Sequence, residues 1–226
     1  MRIHRAWSIV GVLAALAFAL SLVTVQRATL LAADDGGSVQ NARLAVVGDS
    51  LSAGTTKFLG NGLDDGTWIP SAVGDGVEFA GGWARSGATP QRMAENVRPV
   101  DDVDVLVILG GTNAVRLHKT LAEEASSYRR IVSVVRPREV LVAAIPPYAW
   151  QPSAAERYNR DLRLLAEAEG WSWGDPWSFA RDGRRWKPGV SEDGTHPAGP
   201  EQYRSLGSSM RSLIDKVLSR TSGAVA

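Results

Sequence analysis

From residue 43 onward, short apolar runs alternate with longer segments in which apolar residues recur at helical spacing. Arg43–Gly48 is the kind of brief apolar run expected of a parallel strand buried on both faces. Val77–Trp83 reads as a second, weaker strand. Val103–Leu109, "VDVLVIL", is the clearest, Glu139–Ile145, "EVLVAAI", is nearly as clear, and Trp171–Gly174 is a short last one. Between them lie helical segments. Pro70 limits Thr67–Val73 to a first-turn or irregular helix. Thr89-Pro90 offers an N-cap followed by proline at the first helical position. Thr120-x-x-Glu123 and Ser153-x-x-Glu156 both have the spacing of a capping box. Gly199-Pro200 leads into a final helix reaching about Leu218.

This alternation predicts a three-layer α/β/α sandwich with a doubly wound, flavodoxin-like parallel sheet of about five strands. Its expected extent is residues 43–220, followed by a short tail, 221–226. Ahead of it, residues 34–42 are polar and glycine-containing and read as a linker. Residues 1–33 differ in kind. Arg2 and Arg5 precede a charge-free stretch from Ala6 to Val25, which is long enough to span a bilayer as an N-terminal apolar helix. It reads either as a retained membrane anchor or as a signal peptide. Ala32 and Ala33 make a poor cleavage site, since the position two residues upstream of each is leucine. In both cases the basic flank predicts export, with the following domain outside the cytoplasmic membrane.

Composition narrows the chemistry. The 226 residues are 44% hydrophobic and 22% charged, as in ordinary folded proteins. There is no cysteine, which excludes disulfides, thiolate metal sites and cysteine nucleophiles together. With the three arginines of residues 1–33 set aside, 22 basic residues face 24 acidic ones. No basic run suggests nucleic acid.

In doubly wound sheets, ligands gather beyond the carboxyl ends of the strands. That rule nominates the loops at 49–54, 84–89, 110–115, 146–152 and 176–197. Ser50 follows the first strand directly, in "GDSLSAG". Ser52 stands where the nucleophile elbow of the larger hydrolase fold requires glycine, so the motif is not that elbow. In "SEDGTHPAG", Asp193 precedes His196 by three residues. A carboxylate there accepts the Nδ1 proton of the imidazole, fixes its tautomer and stabilises the imidazolium that forms when His196 takes a proton from a serine. "GGTNA" brings Gly111 and Asn113 to the same edge, where the Asn113 amide is a neutral donor suited to an oxyanion. "ARSGAT" brings Gly87, with a backbone N–H that no side chain obstructs. Taken singly, each of these is a common turn, cap or surface residue. Their convergence on one sheet edge is the stronger signal.

These residues resemble the SGNH/GDSL family of serine hydrolases, over about Leu44 to Pro197. Gly48-Asp49-Ser50-Leu51 is similar to the family's nucleophile block. Gly87 matches its oxyanion glycine, Gly111-x-Asn113 its glycine–asparagine block, and Asp193-x-x-His196 its closing acid–base block. The resemblance implies Ser50, His196 and Asp193 as a catalytic triad. It also implies the N–H groups of Ser50 and Gly87 and the Asn113 amide as an oxyanion hole, with no metal or cofactor. Two departures concern the oxyanion loops: Ala114 stands where many members have aspartate, and Ala84 where asparagine is frequent.

The implied reaction is hydrolysis of a carboxylic ester, an acyl or acetyl ester of a lipid, glycolipid or cell-wall sugar, by a monomer. Tyr148, Trp150, Trp177 and Trp186 lie in loops on the predicted site side and are candidates to wall an acyl pocket or stack on sugar. Trp171 and Trp173, two apart on a strand, share one face and read as core. The alternatives are an O-acyltransferase using the same site and a binding module that keeps the fold without the activity. A flavodoxin-type phosphate site at the first loop leaves the Asp193–His196 pair unexplained.

Overall fold

The computed structural model describes residues 41–54, 58–59 and 66–223. The apolar leader and most of the linker lie outside the described residues. Five parallel strands form the sheet: β1 (Ala42–Gly48), β3 (Val77–Arg85), β4 (Val105–Leu109), β5 (Glu139–Ala143) and β6 (Ser172–Gly174). A two-residue strand, β2 (Phe58–Leu59), pairs antiparallel with β3 at the edge, giving the order β2-β3-β1-β4-β5-β6. The sequence pattern did not signal β2, nor the small hairpin of β7 (Arg181–Asp182) and β8 (Arg185–Trp186). Two residues carry no periodicity to read.

The inner strands are apolar on both sides because both sides are covered. Ala45, Val47, Leu106, Ile108, Val140 and Val142 join one core cluster, while Leu44, Val46, Val105, Val107, Leu141 and Ala143 join the other. Helices α2 (Pro90–Asn96), α4 (Leu121–Val135) and α5 (Pro152–Ala168) pack on the first face through Met93, Ile131 and Leu162. The long helix α6 (Pro200–Gly223) covers the second through Leu206, Met210 and Ile214. Each fully buried side chain of this size contributes roughly 1.5–3 kcal/mol. A one-residue slip of any inner strand exchanges the two sets and is therefore strongly opposed.

The weakness of the second strand has a steric cause. A Cβ on Gly82 would collide with the Val46 carbonyl of β1, so the close approach of these strands requires glycine there. Thr120 and Glu123 form the expected capping box, and Thr89 caps Pro90 as expected. The second expected box does not form. Pro152 fixes the first helical residue, so Gln151 is the N-cap. Ser153 and Glu156 instead both meet Arg184, at 2.9 and 3.5 Å. Segment 67–73 contains a single 3₁₀ turn at Ile69–Ser71. The last helix runs to Gly223, past the expected end at Leu218.

Register matters most at the carboxyl ends. Gly48 pairs with Ala84 of β3 and with Leu109 of β4. The loops after β1, β3 and β4 thus leave the sheet level with one another. Among the described residues no helix is long and apolar enough to cross a membrane.

Candidate active site

At the end of β1 the chain has no room for a side chain. A Cβ on Gly48 would lie 2.6 Å from Ser52 Oγ and 2.7 Å from the Leu109 carbonyl. The next residue, Asp49, caps the single turn α1 (Ser50–Ala53): its Oδ1 accepts from Leu51 N at 3.1 Å. Its carbonyl accepts from the amides of Ser52 and Ala53. Ser52 is fully buried, and its hydroxyl accepts from Trp68 Nε1 at 3.0 Å. A glycine at 52 would leave that indole without this acceptor, so the serine there has a packing reason. The turn holds Ser50 half-buried at the rim.

The other half of the pair comes from 146 residues away. His196 Nε2 lies 2.8 Å from Ser50 Oγ, and His196 Nδ1 lies 2.6 Å from Asp193 Oδ2. Asp193 Oδ1 accepts from the amides of Thr195 and His196 at 2.8 and 2.7 Å. Partial burial pushes the Asp193 carboxyl upward, but its hydrogen bonds to the His196 ring and to the two amides outweigh that and hold it below the ordinary carboxylate value. Gly194, at φ 73°, turns the loop between acid and base.

Gly87 sits at the third position of a turn closed by Ala88 N donating to the Arg85 carbonyl at 3.1 Å. Its φ of 77° is the conformation this turn position demands, and a Cβ there would meet nothing. Glycine is present for its backbone. Asn113, in the short helix α3 (Thr112–Arg116), is buried, and its Nδ2 donates to the Ala88 carbonyl at 3.1 Å, tying the two loops together. Its Oδ1 accepts from Arg116 Nε at 3.3 Å. Arg116 therefore orients the amide from three residues on, while Ala114 is a fully buried core residue. Beneath this loop, Tyr128 donates its hydroxyl to the Gly110 carbonyl at 2.7 Å and lies 3.2 Å from the Tyr158 hydroxyl. A Cβ on Gly111 would lie 2.5 Å from the Tyr158 ring. Neither tyrosine was evident from the sequence, since each reads as an ordinary core position of an amphipathic helix.

Asp49 is a third residue that sequence reasoning passed over. It is fully buried, and Oδ2 has no hydrogen-bond partner among the described residues. Burial raises its pKa from 3.8 to about 6, against the opposing pull of the Leu51 amide, the His196 charge and the nearby Asn113 amide. A folded-state pKa above the unfolded one means that the folded chain binds the proton more tightly, so this group's contribution to stability declines as pH rises from about 4 to about 6. Asp49→Asn keeps an acceptor for Leu51 N without a charge to bury. Its stability relative to wild type is expected to rise between pH 4 and pH 8, by on the order of 2–3 kcal/mol in urea unfolding. A pH-independent difference would contradict this.

The aromatic candidates divide. Trp177 is fully buried, its Nε1 donating to the Ala144 carbonyl at 2.7 Å, and Tyr148 is buried in the other core cluster. Both are packing residues without a face free for a ligand, contrary to the sequence expectation. Trp171 and Trp173 pack partly buried against the core, as expected. Trp150 is 72% exposed, and Trp186 is half-buried. Each donates its indole N–H to the acid–base loop, Trp150 to the Asp193 carbonyl at 3.3 Å and Trp186 to the Gly194 carbonyl at 3.1 Å. Among the described residues no group of three or more His, Asp or Glu side chains is arranged to hold a metal ion.

Residues 46–200 match the family model of the GDSL-like Lipase/Acylhydrolase family. Similar solved structures include a carbohydrate acetylesterase family member from Sinorhizobium meliloti (19% identity, 79% of this chain and 99% of that one, TM-score 0.59). Another is a member of the lipolytic protein G-D-S-L family from Veillonella parvula (14% identity, 77% and 98%, TM-score 0.59). A third is an inhibitor-bound aryl esterase from M. smegmatis (17% identity, 78% and 99%, TM-score 0.52). At these identities the likeness is one of fold. No curated protein matches the chain.

Proposed function

Because the chain belongs to the GDSL-like lipase/acylhydrolase family and is a carboxylic ester hydrolase, we propose that Ser50, His196 and Asp193 perform the hydrolysis as a triad. The observation that carries this is the unbroken chain of short contacts, 2.8 Å from Ser50 Oγ to His196 Nε2 and 2.6 Å from His196 Nδ1 to Asp193 Oδ2. Ser50 Oγ attacks the ester carbonyl while His196 Nε2 takes its proton. Asp193 holds the Nδ1 proton and stabilises the imidazolium. The tetrahedral oxyanion is held by the N–H groups of Ser50 and Gly87 and by the Asn113 amide hydrogen not engaged with Ala88. Collapse expels the alcohol, whose oxygen receives the proton from His196 Nε2. Water then attacks the acyl-enzyme, giving its proton to His196, and the free acid leaves as Ser50 is regenerated. The His196 side chain is 36% exposed, so water has a direct approach to the acyl-enzyme.

The test is covalent labelling. The full-length protein treated with a fluorophosphonate is expected to gain one adduct by intact mass spectrometry, and Ser50→Ala none. An unlabelled but folded wild type would contradict an activated serine. Asn113→Ala is expected to lower kcat by on the order of 10²–10³, as for loss of one oxyanion donor. Unchanged kcat in steady-state assays of that variant would remove Asn113 from the oxyanion hole.

The same proposal puts the enzyme outside the cytoplasmic membrane. Support for this lies in Arg2 and Arg5 ahead of the charge-free stretch Ala6–Val25.

A further inference from the structure

His196 must hand its proton to the departing alcohol oxygen, so the alcohol part of the ester lies on the His196 side of Ser50 rather than across from it. A groove of about 640 Å³ is lined in part by Asp193 and Gly194, the residues three and two positions before His196, with Trp150 and Trp186 among its walls. Its character separates two classes of substrate. No Leu, Ile, Val, Met or Phe lines it, so it lacks the continuous aliphatic wall that a fatty chain requires. What it presents is an indole 72% exposed next to exposed charged groups of both signs, Arg185, Lys187 and Glu192, and the Ser191 hydroxyl. Arg185 and Glu192 form no ion pair among the described residues, which leaves a fork of donors and a pair of acceptors uncommitted.

A sugar ring matches this arrangement. Its axial C–H face is apolar and lies flat on an aromatic ring, while its rim of hydroxyls both donates and accepts hydrogen bonds. A binding site of mixed charge with few aliphatic groups satisfies that rim better than it satisfies any lipid. Trp150 is also held for the purpose. Its Nε1 is anchored to the Asp193 carbonyl, so the ring is tethered to the very loop that carries the acid and base. Little side-chain freedom remains to be lost when a ligand stacks on it.

We propose that this groove is the alcohol-side subsite and that the substrate is an O-acylated carbohydrate, its sugar stacked on Trp150 and its hydroxyls met by Arg185 and Glu192. This rests on Ser50 and His196 being the reacting groups. The test compares wild type, Trp150→Ala and Trp150→Phe on 4-nitrophenyl acetate and on O-acetylated xylotriose, cellotriose and chitotriose. The expected result is hydrolysis of at least one acetylated trisaccharide. Its kcat/KM relative to 4-nitrophenyl acetate should fall about ten-fold or more in Trp150→Ala, through KM. Trp150→Phe should recover most of that preference, because it restores the aromatic face without the N–H. The ratio divides out any disturbance of the acid–base loop. A ratio unaffected by Trp150→Ala overturns the proposal, as does a preference of wild type for 4-nitrophenyl dodecanoate over every sugar ester. Binding of the unacylated trisaccharides to Ser50→Ala, followed by isothermal titration calorimetry, separates the two readings. Binding that Trp150→Ala abolishes keeps the subsite even if no ester is turned over, and turnover of 4-nitrophenyl acetate without any sugar binding or sugar-ester hydrolysis keeps the triad and removes the subsite.

Discussion

Ser50→Ala is expected to lower kcat on 4-nitrophenyl acetate by on the order of 10⁶, the loss typical of removing the nucleophile from a serine hydrolase. That is about 8 kcal/mol of transition-state stabilisation. The size follows from the dependence of each later step on the first. Without Oγ there is no acyl-enzyme, His196 has no proton to relay, and the oxyanion donors face a carbonyl that nothing nearby attacks. The fold should not notice. Ser50 is half-buried, its hydroxyl meets His196 at the rim, and the turn around it is held by Asp49 and Ser52 rather than by Ser50 itself. Thermal unfolding should therefore match wild type. Wild-type turnover from folded Ser50→Ala protein would sink the mechanism, whereas lost turnover with lost folding would require the milder Ser50→Thr for comparison.

Asp193→Asn is expected to be the next most severe change, with kcat falling by on the order of 10³–10⁴. The residue has two tasks on two oxygens. Oδ1 accepts the Thr195 and His196 amides, which shapes the loop, and Oδ2 accepts from His196 Nδ1. Asparagine keeps its carbonyl oxygen toward the two amides and turns its NH₂ toward Nδ1. Two donors cannot face each other, so the imidazole is driven to the tautomer protonated on Nε2 and can no longer accept from Ser50. The Asp193 side chain is about half exposed, and partial reorientation into solvent is the reason for allowing the lower end of that range. The measurement is steady-state kcat with the burst of 4-nitrophenol from the first acylation. A loss below ten-fold would mean that Asp193 does not set the tautomer.

Most of the architecture could be read from residue pattern because the inner strands have only one environment to satisfy. β1, β4 and β5 are covered by helices on both faces, so their buried positions are all apolar and the run stands out. Helix starts were readable where the cap was local, at Thr89 and Thr120, and misread at Ser153, where Pro152 begins the helix and Arg184, from a distant hairpin, engages Ser153 and Glu156. The aromatic residues show the same division. Trp150 and Trp177 were equivalent as loop tryptophans, yet one is exposed and the other is sealed beneath the Ala144 carbonyl. Only the packing of the hairpin and α6 against the sheet separates them.

By itself the sequence determined the alternation of strand and helix, the loops that reach the carboxyl edge, and the residue types those loops carry, because each depends on neighbours a few positions away. The tertiary structure alone decided which of those residues meet. Ser50 and His196 come within 2.8 Å because β1, β3 and β4 end in register and the chain returns over the same edge after β6. Asp49 became a buried carboxyl with a raised pKa because residues distant in sequence, Asn113 and His196 among them, come together around it. Burial and long-range distance are sums over the whole chain, and no short stretch of residues contains them.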